Sequence, residues 1–210
     1  MVTSMPVTPS IRRITHTETT HFTHRETISY IVPTIGRTTL QRALDSIELQ
    51  PGDEILINQP ETPYGTWGYT ERNELLPYAR CAWLAFIDDD DYFLPGYRAH
   101  MTDAMRTVPG GRDVPIIFKM RFAGGKELWK DHIRDPNRPD RPDLVCNNVG
   151  TPMLLMPNLP WMLARFNETR YVGDFDFINS CKWPRRMIYW RPEVIVQVGN
   201  DPRGIRGFQQ

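Results

Sequence analysis

The sequence predicts a single-domain α/β protein with a mostly parallel central sheet flanked by helices. Between residues 28 and 87, short apolar runs of strand length alternate with segments of helical apolar spacing, and this order is typical of parallel βαβ units. The chain has 210 residues, 40% of them hydrophobic and 24% charged, which fits one globular domain with a substantial core. The third observation is an apolar run that ends directly in four consecutive aspartates.

The first half of the chain gives the clearest elements. Residues 28–32 form an apolar strand, and residues 40–47 have the spacing of a helix with one apolar face. A second strand is predicted at 54–58, after a Pro-Gly-Asp turn. A helix over 70–81 then leads into a strand at 83–87. Right-handed crossovers would place the loops that follow the three strands at one edge of the sheet.

The second half is richer in proline and predicts more irregular structure. We expect a helix at 95–105, strands at 114–122 and 151–156, a helix at 174–181, and one or two strands within 186–198.

Three segments divide the chain. Residues 1–26 are polar and rich in threonine, so we expect a tail or an edge strand. Residues 27–199 form the folded domain, and residues 200–210 are expected to be a flexible tail. Within the domain, residues 124–148 form a polar, proline-rich, basic loop that would serve as a mobile lid, as an acceptor loop or as passive surface.

Composition excludes several classes of function. Lysine plus arginine equals aspartate plus glutamate, 25 of each, which argues against a broad nucleic-acid footprint. No apolar stretch approaches the length of a membrane span, and no signal-peptide core is present. The three cysteines match neither a zinc pattern nor a disulfide framework. These features predict a cytoplasmic protein without a membrane span or a nucleic-acid partner.

The most informative segment is residues 83–92, which read W-L-A-F-I-D-D-D-D-Y. If the strand continues past Ile87, alternate aspartates share a face of the sheet. Carboxylates at the end of a strand suit a hard divalent cation such as Mg²⁺ or Mn²⁺, which often bridges protein carboxylates to substrate phosphates. The alternatives are a solvated acidic turn and a weak calcium loop.

Four segments resemble the family 2 glycosyltransferases of the GT-A fold. They are I-S-Y-I-V-P-T-I-G-R at 28–37, T-E-R-N-E-L-L at 70–76, F-I-D-D-D-D-Y-F-L-P at 86–95 and, more weakly, G-D-F-D-F at 173–177. The resemblance covers residues 27–182. It implies a Rossmann-like GT-A domain that moves a sugar from a nucleotide-diphosphate sugar to an acceptor hydroxyl with inversion, using Mn²⁺ or Mg²⁺. The small size suits a bacterial or bacteriophage member, and the acceptor is a glycan, a small molecule or a protein.

The resemblance also implies roles for individual residues. The nucleotide or its diphosphate and sugar would be contacted by Pro33, Thr34, Arg37, Asn58, Arg72, Asn73, Asp88 and Asp89. The metal would be bound by Asp90, with Asp88 and Asp91 beside it. Asp174 would be the general base that takes the proton of the acceptor hydroxyl, and Asp176 is the alternative base.

The sequence departs from the family pattern at three places. Asn58 and Gln59 stand after the second strand where the family usually has acidic residues, and Gly173 replaces a glutamate. No C-terminal histidine is present to complete metal coordination, so water, diphosphate oxygens, Gln197 or Asn200 would take that position.

Two other readings remain open. A nucleotidyltransferase would share the sheet, but the loop at 33–37 has one glycine and one arginine rather than a phosphate-binding run. A catalytically degenerate binding protein of the same fold would explain the departures. Trp67, Trp129 and Trp183 could stack on sugars, or they could be ordinary core residues.

Overall fold

The structure is a computed structural model. It describes residues 2–6, 10–16, 24–128, 134–135, 138–142, 144, 146, 148–183 and 187–199. Within these residues, no helix combines the length and the apolar character needed to cross a bilayer.

A mixed ten-stranded sheet forms the centre of the molecule. Its strand order is β1-β2-β4-β3-β5-β11-β7-β12-β6, and β8 pairs with β7. The strands are β1 (Val2–Pro6), β2 (Ile11–His16), β3 (Ile28–Pro33), β4 (Glu54–Asn58), β5 (Trp83–Phe86), β6 (Tyr92–Phe93), β7 (Ile116–Phe122), β8 (Glu127–Leu128), β11 (Leu154–Pro157) and β12 (Tyr189–Val198); β9 (Arg134–Asp135) and β10 (Arg138–Pro142) form a separate hairpin.

Strands β4, β3 and β5 form a parallel unit. Ile31 lies beside Leu56 on one side and Phe86 on the other. Every residue of these three strands is buried, as is typical of a parallel strand that is covered on both faces. Because parallel strands end at the same edge, the loops after β3, β4 and β5 meet there.

The expectation of a mostly parallel sheet needs correction. Strand β11 runs antiparallel to both β5 and β7, and β2 runs antiparallel to β4. A parallel return requires a long crossover, usually a helix. The described part of the connection from β7 to β11 forms the short strands β8, β9 and β10 rather than a helix, and β11 enters the sheet in the opposite direction.

In the described part of the chain, four α-helices flank the sheet: α1 (Leu40–Asp45), α2 (Tyr69–Leu75), α3 (Tyr97–Thr107) and α4 (Gly173–Ser180). Helix α2 is shorter than the predicted 70–81 because Pro77 has no N–H for a helical hydrogen bond, and Leu76–Tyr78 form a single 3₁₀ turn instead. Helix α2 packs on β3 and β4, so its N-terminal half lies at the sheet edge where the loops converge.

Candidate functional site

A cavity of about 720 Å³ lies at the carboxyl ends of β3 and β5. The loops after these strands, helix α2, the start of α4 and the segment around Gly150 enclose it. Ligands of open α/β sheets bind at this position. The predicted site residues that line the cavity are Pro33, Thr34, Arg37, Arg72, Asp88, Asp89, Asp90, Asp91 and Asp174.

The four aspartates form a tight turn, not an extension of β5. Strand β5 ends at Phe86, and the backbone N–H of Asp91 donates to the carbonyl of Asp88 at 3.1 Å. The expected alternation of an extended strand is therefore replaced by a turn. Asp89 and Asp91 are buried, while Asp88 and Asp90 are partly exposed.

Asp89 organises the loop after β3. Its carboxylate accepts hydrogen bonds from the hydroxyl of Thr34 at 2.7 Å and from the N–H of Ile35 at 3.2 Å. It also accepts from Arg37 at 3.1 Å. These contacts occupy both carboxylate oxygens, so Asp89 holds the loop against the acidic turn and is poorly placed to bind a ligand itself.

Asp90 and Asp91 carry charge that the fold does not fully offset. Asp90 pairs with Arg37 at 2.5 Å, yet burial and the nearby charge of Asp88 raise its pKa. Asp91 accepts from the N–H of Gly199 at 3.0 Å. Burial, followed by the charges of Asp88 and Asp90, raises the pKa of Asp91 well above its ordinary value. The turn is thus a cluster of mutually repelling carboxylates.

Arg72 connects the acidic turn to the loop that precedes helix α2. Its side chain is 1% exposed, and its guanidinium pairs with Asp88 and donates to the carbonyl of Trp67 at 3.0 Å. A Cβ on Gly68 would lie 3.1 Å from both Arg72 and Pro33, and Gly68 has a φ of 80°. Glycine therefore allows helix α2 to begin against the loop after β3.

Asp174 lies in the first turn of α4 and faces the cavity. Its Oδ2 accepts from the backbone N–H of Thr151 at 3.1 Å, while its Oδ1 has no hydrogen-bond partner within the described part of the chain. Burial raises the pKa of Asp174, with Arg72 opposing and Asp88 adding to the shift. A carboxylate with a free oxygen and a raised pKa has the properties of a general base.

Asp176 does not line the cavity. It pairs with Arg170 at 3.3 Å and accepts from Asn167 at 3.2 Å. Of the two candidate bases, Asp174 is the one that lines the cavity.

Two residues that were predicted to contact the nucleotide instead form hydrogen bonds within the protein. The amide of Asn73 donates to the carbonyl of Phe166 and to Glu168, and its oxygen accepts from the N–H of Phe166, at 2.8–3.0 Å. Asn73 therefore supports the 166–168 loop and does not reach the cavity. The amide of Asn58 donates to Glu74 at 2.7 Å, and Asn58 is not among the residues that line the cavity.

The next residues are those that the sequence suggested for completing the metal site or for stacking on sugars. Gln197 donates to the carbonyl of Arg121 at 3.0 Å, and Trp183 donates to the carbonyl of Ile178 at 2.9 Å, so neither lines the cavity. Asn200 and Trp129 lie outside the described residues.

Glu71 and Tyr171 are among the residues that line the cavity but are not predicted from the sequence. Glu71 directly precedes Arg72, and Tyr171 lies shortly before Asp174, so each stands beside a motif that was recognised. Trp67, which the sequence suggests either stacks on a sugar or packs in the core, also lines the cavity and has a φ of 55°. Such a backbone conformation is uncommon for a bulky residue.

The charged side chains that line the cavity are mostly acidic. Among the described lining residues, six carboxyl groups face two guanidinium groups. No three His, Cys, Asp or Glu side chains of the described ranges are arranged to hold a metal ion by themselves. An acidic cavity with few protein ligands fits Mg²⁺ or Mn²⁺, because these ions are held by one or two carboxylates together with substrate phosphates and water.

Solved structures of known proteins share this fold. S. aureus TarS superposes with a TM-score of 0.59 at 15% identity, over 84% of this chain and 37% of that chain. The 1–349 form of TarS in complex with UDP gives 0.54 at 16% identity, over 84% and 61%. The same form in complex with UDP-GlcNAc gives 0.53 at 14% identity, over 82% and 58%.

These matches establish a shared α/β fold. The chain spans less than two thirds of the length of each of these TarS structures. No protein-family model and no curated protein sequence matches the chain.

Proposed function

We propose that the protein is a metal-dependent glycosyltransferase that moves a sugar from a nucleotide-diphosphate sugar to an acceptor hydroxyl. The observation that carries the proposal is the convergence of Arg72, the acidic turn and Asp174 on one cavity at the ends of parallel strands. The shared fold with TarS, which has been solved with UDP and UDP-GlcNAc, supports it, as does the sequence resemblance to family 2 enzymes of the GT-A fold.

The charge of the cavity indicates how a donor would be held. A diphosphate is anionic, so the guanidinium groups of Arg37 and Arg72 would attract it. In the free protein these groups pair with Asp90 and Asp88. Asp88 and Asp90 are the residues that would hold a divalent cation, because they are the partly exposed members of the acidic turn. When bound, the cation would offset the negative charge that develops on the diphosphate as the sugar leaves.

The position of Asp174 indicates the chemistry at the acceptor. Its unpartnered Oδ1 would take the proton of an attacking hydroxyl. The guanidinium of Arg72 interacts electrostatically with the carboxylates of both Asp88 and Asp174. A base on the side of the sugar opposite the leaving diphosphate gives inversion at the anomeric carbon. The acceptor would be a glycan, a small molecule or a protein hydroxyl.

Turnover of nucleotide sugars tests the proposal. The purified protein is incubated with UDP-GlcNAc and with the corresponding GDP, ADP and dTDP sugars, with Mn²⁺ or with EDTA, and released nucleoside diphosphate is measured. We expect hydrolysis of one donor, with water as the acceptor of the sugar, in the presence of Mn²⁺ and not in EDTA. Asp90→Asn should lower its rate by about 10²-fold or more, the size typical of losing a charge-stabilising group.

Asp45→Asn is the matched control, because Asp45 is an exposed carboxylate on α1 away from the cavity. It should leave the rate unchanged. Equal turnover in EDTA would contradict the metal dependence. Absence of turnover with every donor, in a protein that still binds nucleotides, would identify a binding module.

A further inference from the structure

The end of the cavity formed by Glu71 and the loop of residues 63–68 contains an unsatisfied acceptor. Glu71 lines the cavity and is 2% exposed. Its Oε2 has no hydrogen-bond partner within the described ranges. A buried carboxylate oxygen without a partner is costly, so its presence in a cavity points to a ligand that supplies a hydrogen-bond donor.

Neighbouring contacts place Glu71 beside the carboxyl end of β4. Glu74, one turn further along α2, accepts from Asn58 at the end of β4 at 2.7 Å and from the hydroxyl of Tyr64 at 3.2 Å. The backbone N–H of Tyr64 also approaches the carboxylate of Glu71. Among the described residues, the Oδ1 of Asn58 is likewise without a partner. The unsatisfied side-chain atoms of Glu71 and Asn58 are therefore acceptors, whereas the buried Nε of the neighbouring Arg72 is an unsatisfied donor.

The proposed base lies beside the segment around Gly150. Asp174 adjoins Gly150 and Met120, since a Cβ on Gly150 would lie 3.0 Å from Met120 and 3.7 Å from Asp174. A donor whose transferred sugar faces Asp174 and whose diphosphate lies at Arg72 and Asp88 would extend its nucleoside toward Glu71.

We propose that Glu71 is a specificity-determining residue that accepts a hydrogen bond from the nucleoside of the donor. This inference rests on the proposed function. A ribose hydroxyl or a base N–H could donate this hydrogen bond. Both are uncharged hydrogen-bond donors that would satisfy the buried carboxylate. The Arg72 end of the cavity would recognise the diphosphate, and the Glu71 end would distinguish a nucleotide from free diphosphate.

Titration calorimetry with UDP, GDP and inorganic diphosphate, all in Mn²⁺, tests the inference. Glu71→Gln should weaken the tighter nucleotide by about tenfold or more, the loss expected for a hydrogen bond to a charged group. Binding of inorganic diphosphate should not change. Glu61→Gln is the matched control, because Glu61 is an exposed carboxylate close to the same loop that does not line the cavity.

Two analogues of the tighter nucleotide distinguish the sources of the hydrogen bond. A 2′,3′-dideoxy form lacks the ribose hydroxyls. The base N–H donors are absent from N3-methyl-UDP or, if GDP is the tighter nucleotide, from N1-methyl-inosine diphosphate, which also lacks the exocyclic amino group of guanine. The analogue without the interacting group should bind the wild type more weakly and should show no further loss in Glu71→Gln.

Thermal unfolding of the free protein separates recognition from a structural role. Burial, with the charge of Glu74, raises the pKa of Glu71, so the ionised carboxylate costs stability at neutral pH. Glu71→Gln should therefore unfold at the same temperature as wild type or higher while binding nucleotide more weakly. Glu71→Asp keeps the charge, shortens the reach and should also bind more weakly.

A lower melting temperature with unchanged nucleotide affinity would show that Glu71 only supports the loop at Tyr64, and would overturn the inference. An equal loss for nucleotide and inorganic diphosphate would overturn it as well. Failure of the wild type to bind any of the three compounds would instead refute the proposed function on which it rests.

Discussion

At the scale of single residues, the site depends on carboxylates that burial has made unfavourable to ionise. Asp90, Asp91, Asp174 and Glu71 all have raised pKa values with burial as the first cause. For such a group, stability is highest below its ordinary pKa and falls as the pH rises through its raised value. The fold therefore bears an electrostatic cost in the cavity, as is common at functional sites.

Asp174→Asn tests the assignment of the base. We expect turnover to fall by about 10²–10⁴-fold, the usual contribution of general-base catalysis. Because the pKa of Asp174 is raised, wild-type activity should decline as the pH falls through a value above the ordinary aspartate pKa of about 3.9. The variant should also melt at a higher temperature at neutral pH, since it removes the disfavoured charge. Steady-state rates from pH 4 to 9 and thermal melts measure both effects.

The control for this experiment is Asp176→Asn. Asp176 pairs with Arg170, whose side chain is 62% exposed, and exposed ion pairs contribute little. The rate should stay within about threefold of wild type. A large loss in Asp176→Asn with little change in Asp174→Asn would reverse the assignment.

At the scale of elements, helix α2 links the sheet to the site, and the sequence predicted its place better than its contacts. The helix, the strand at 54–58 and the acidic segment all follow from local patterns. The role of Asn73 did not, because its partners Phe166 and Glu168 are more than 90 residues away. The turn at Asp88–Asp91 was only an alternative prediction, because strand periodicity does not indicate where extension ends.

Asn73→Ala tests whether Asn73 supports the protein or binds the donor. The substitution leaves the N–H and carbonyl of the buried Phe166 without their partner. We expect the free energy of unfolding to fall by about 2–4 kcal/mol, from lost hydrogen bonds and unsatisfied backbone groups. Urea unfolding measures it. Asn179→Ala, at an exposed position of α4, should cost no more than about 0.5 kcal/mol. Weakened nucleotide binding at unchanged stability would restore the predicted donor contact.

At the scale of the whole molecule, the α/β class and the parallel unit β4-β3-β5 could be predicted from strands and helices that alternate along the chain. The mixed sheet could not. The antiparallel strand β11 lies between β5 and β7, and its direction depends on how the chain returns after β7 rather than on its own residues. The cavity also draws on this non-local part, since Gly150, Met120 and Asp174 come from the second half.

We propose above all that this acidic cavity binds a nucleoside diphosphate together with a divalent cation. The most direct test is the melting temperature of the protein with UDP or GDP, each with Mn²⁺ and with EDTA. At a ligand concentration of 100 Kd, binding should stabilise the fold by about 2.7 kcal/mol. For a domain of this size, that corresponds to a shift of roughly 5–10 °C. We predict this shift for one nucleotide in Mn²⁺ and its loss in EDTA. An equal shift in EDTA, or no shift with either nucleotide, would contradict the account.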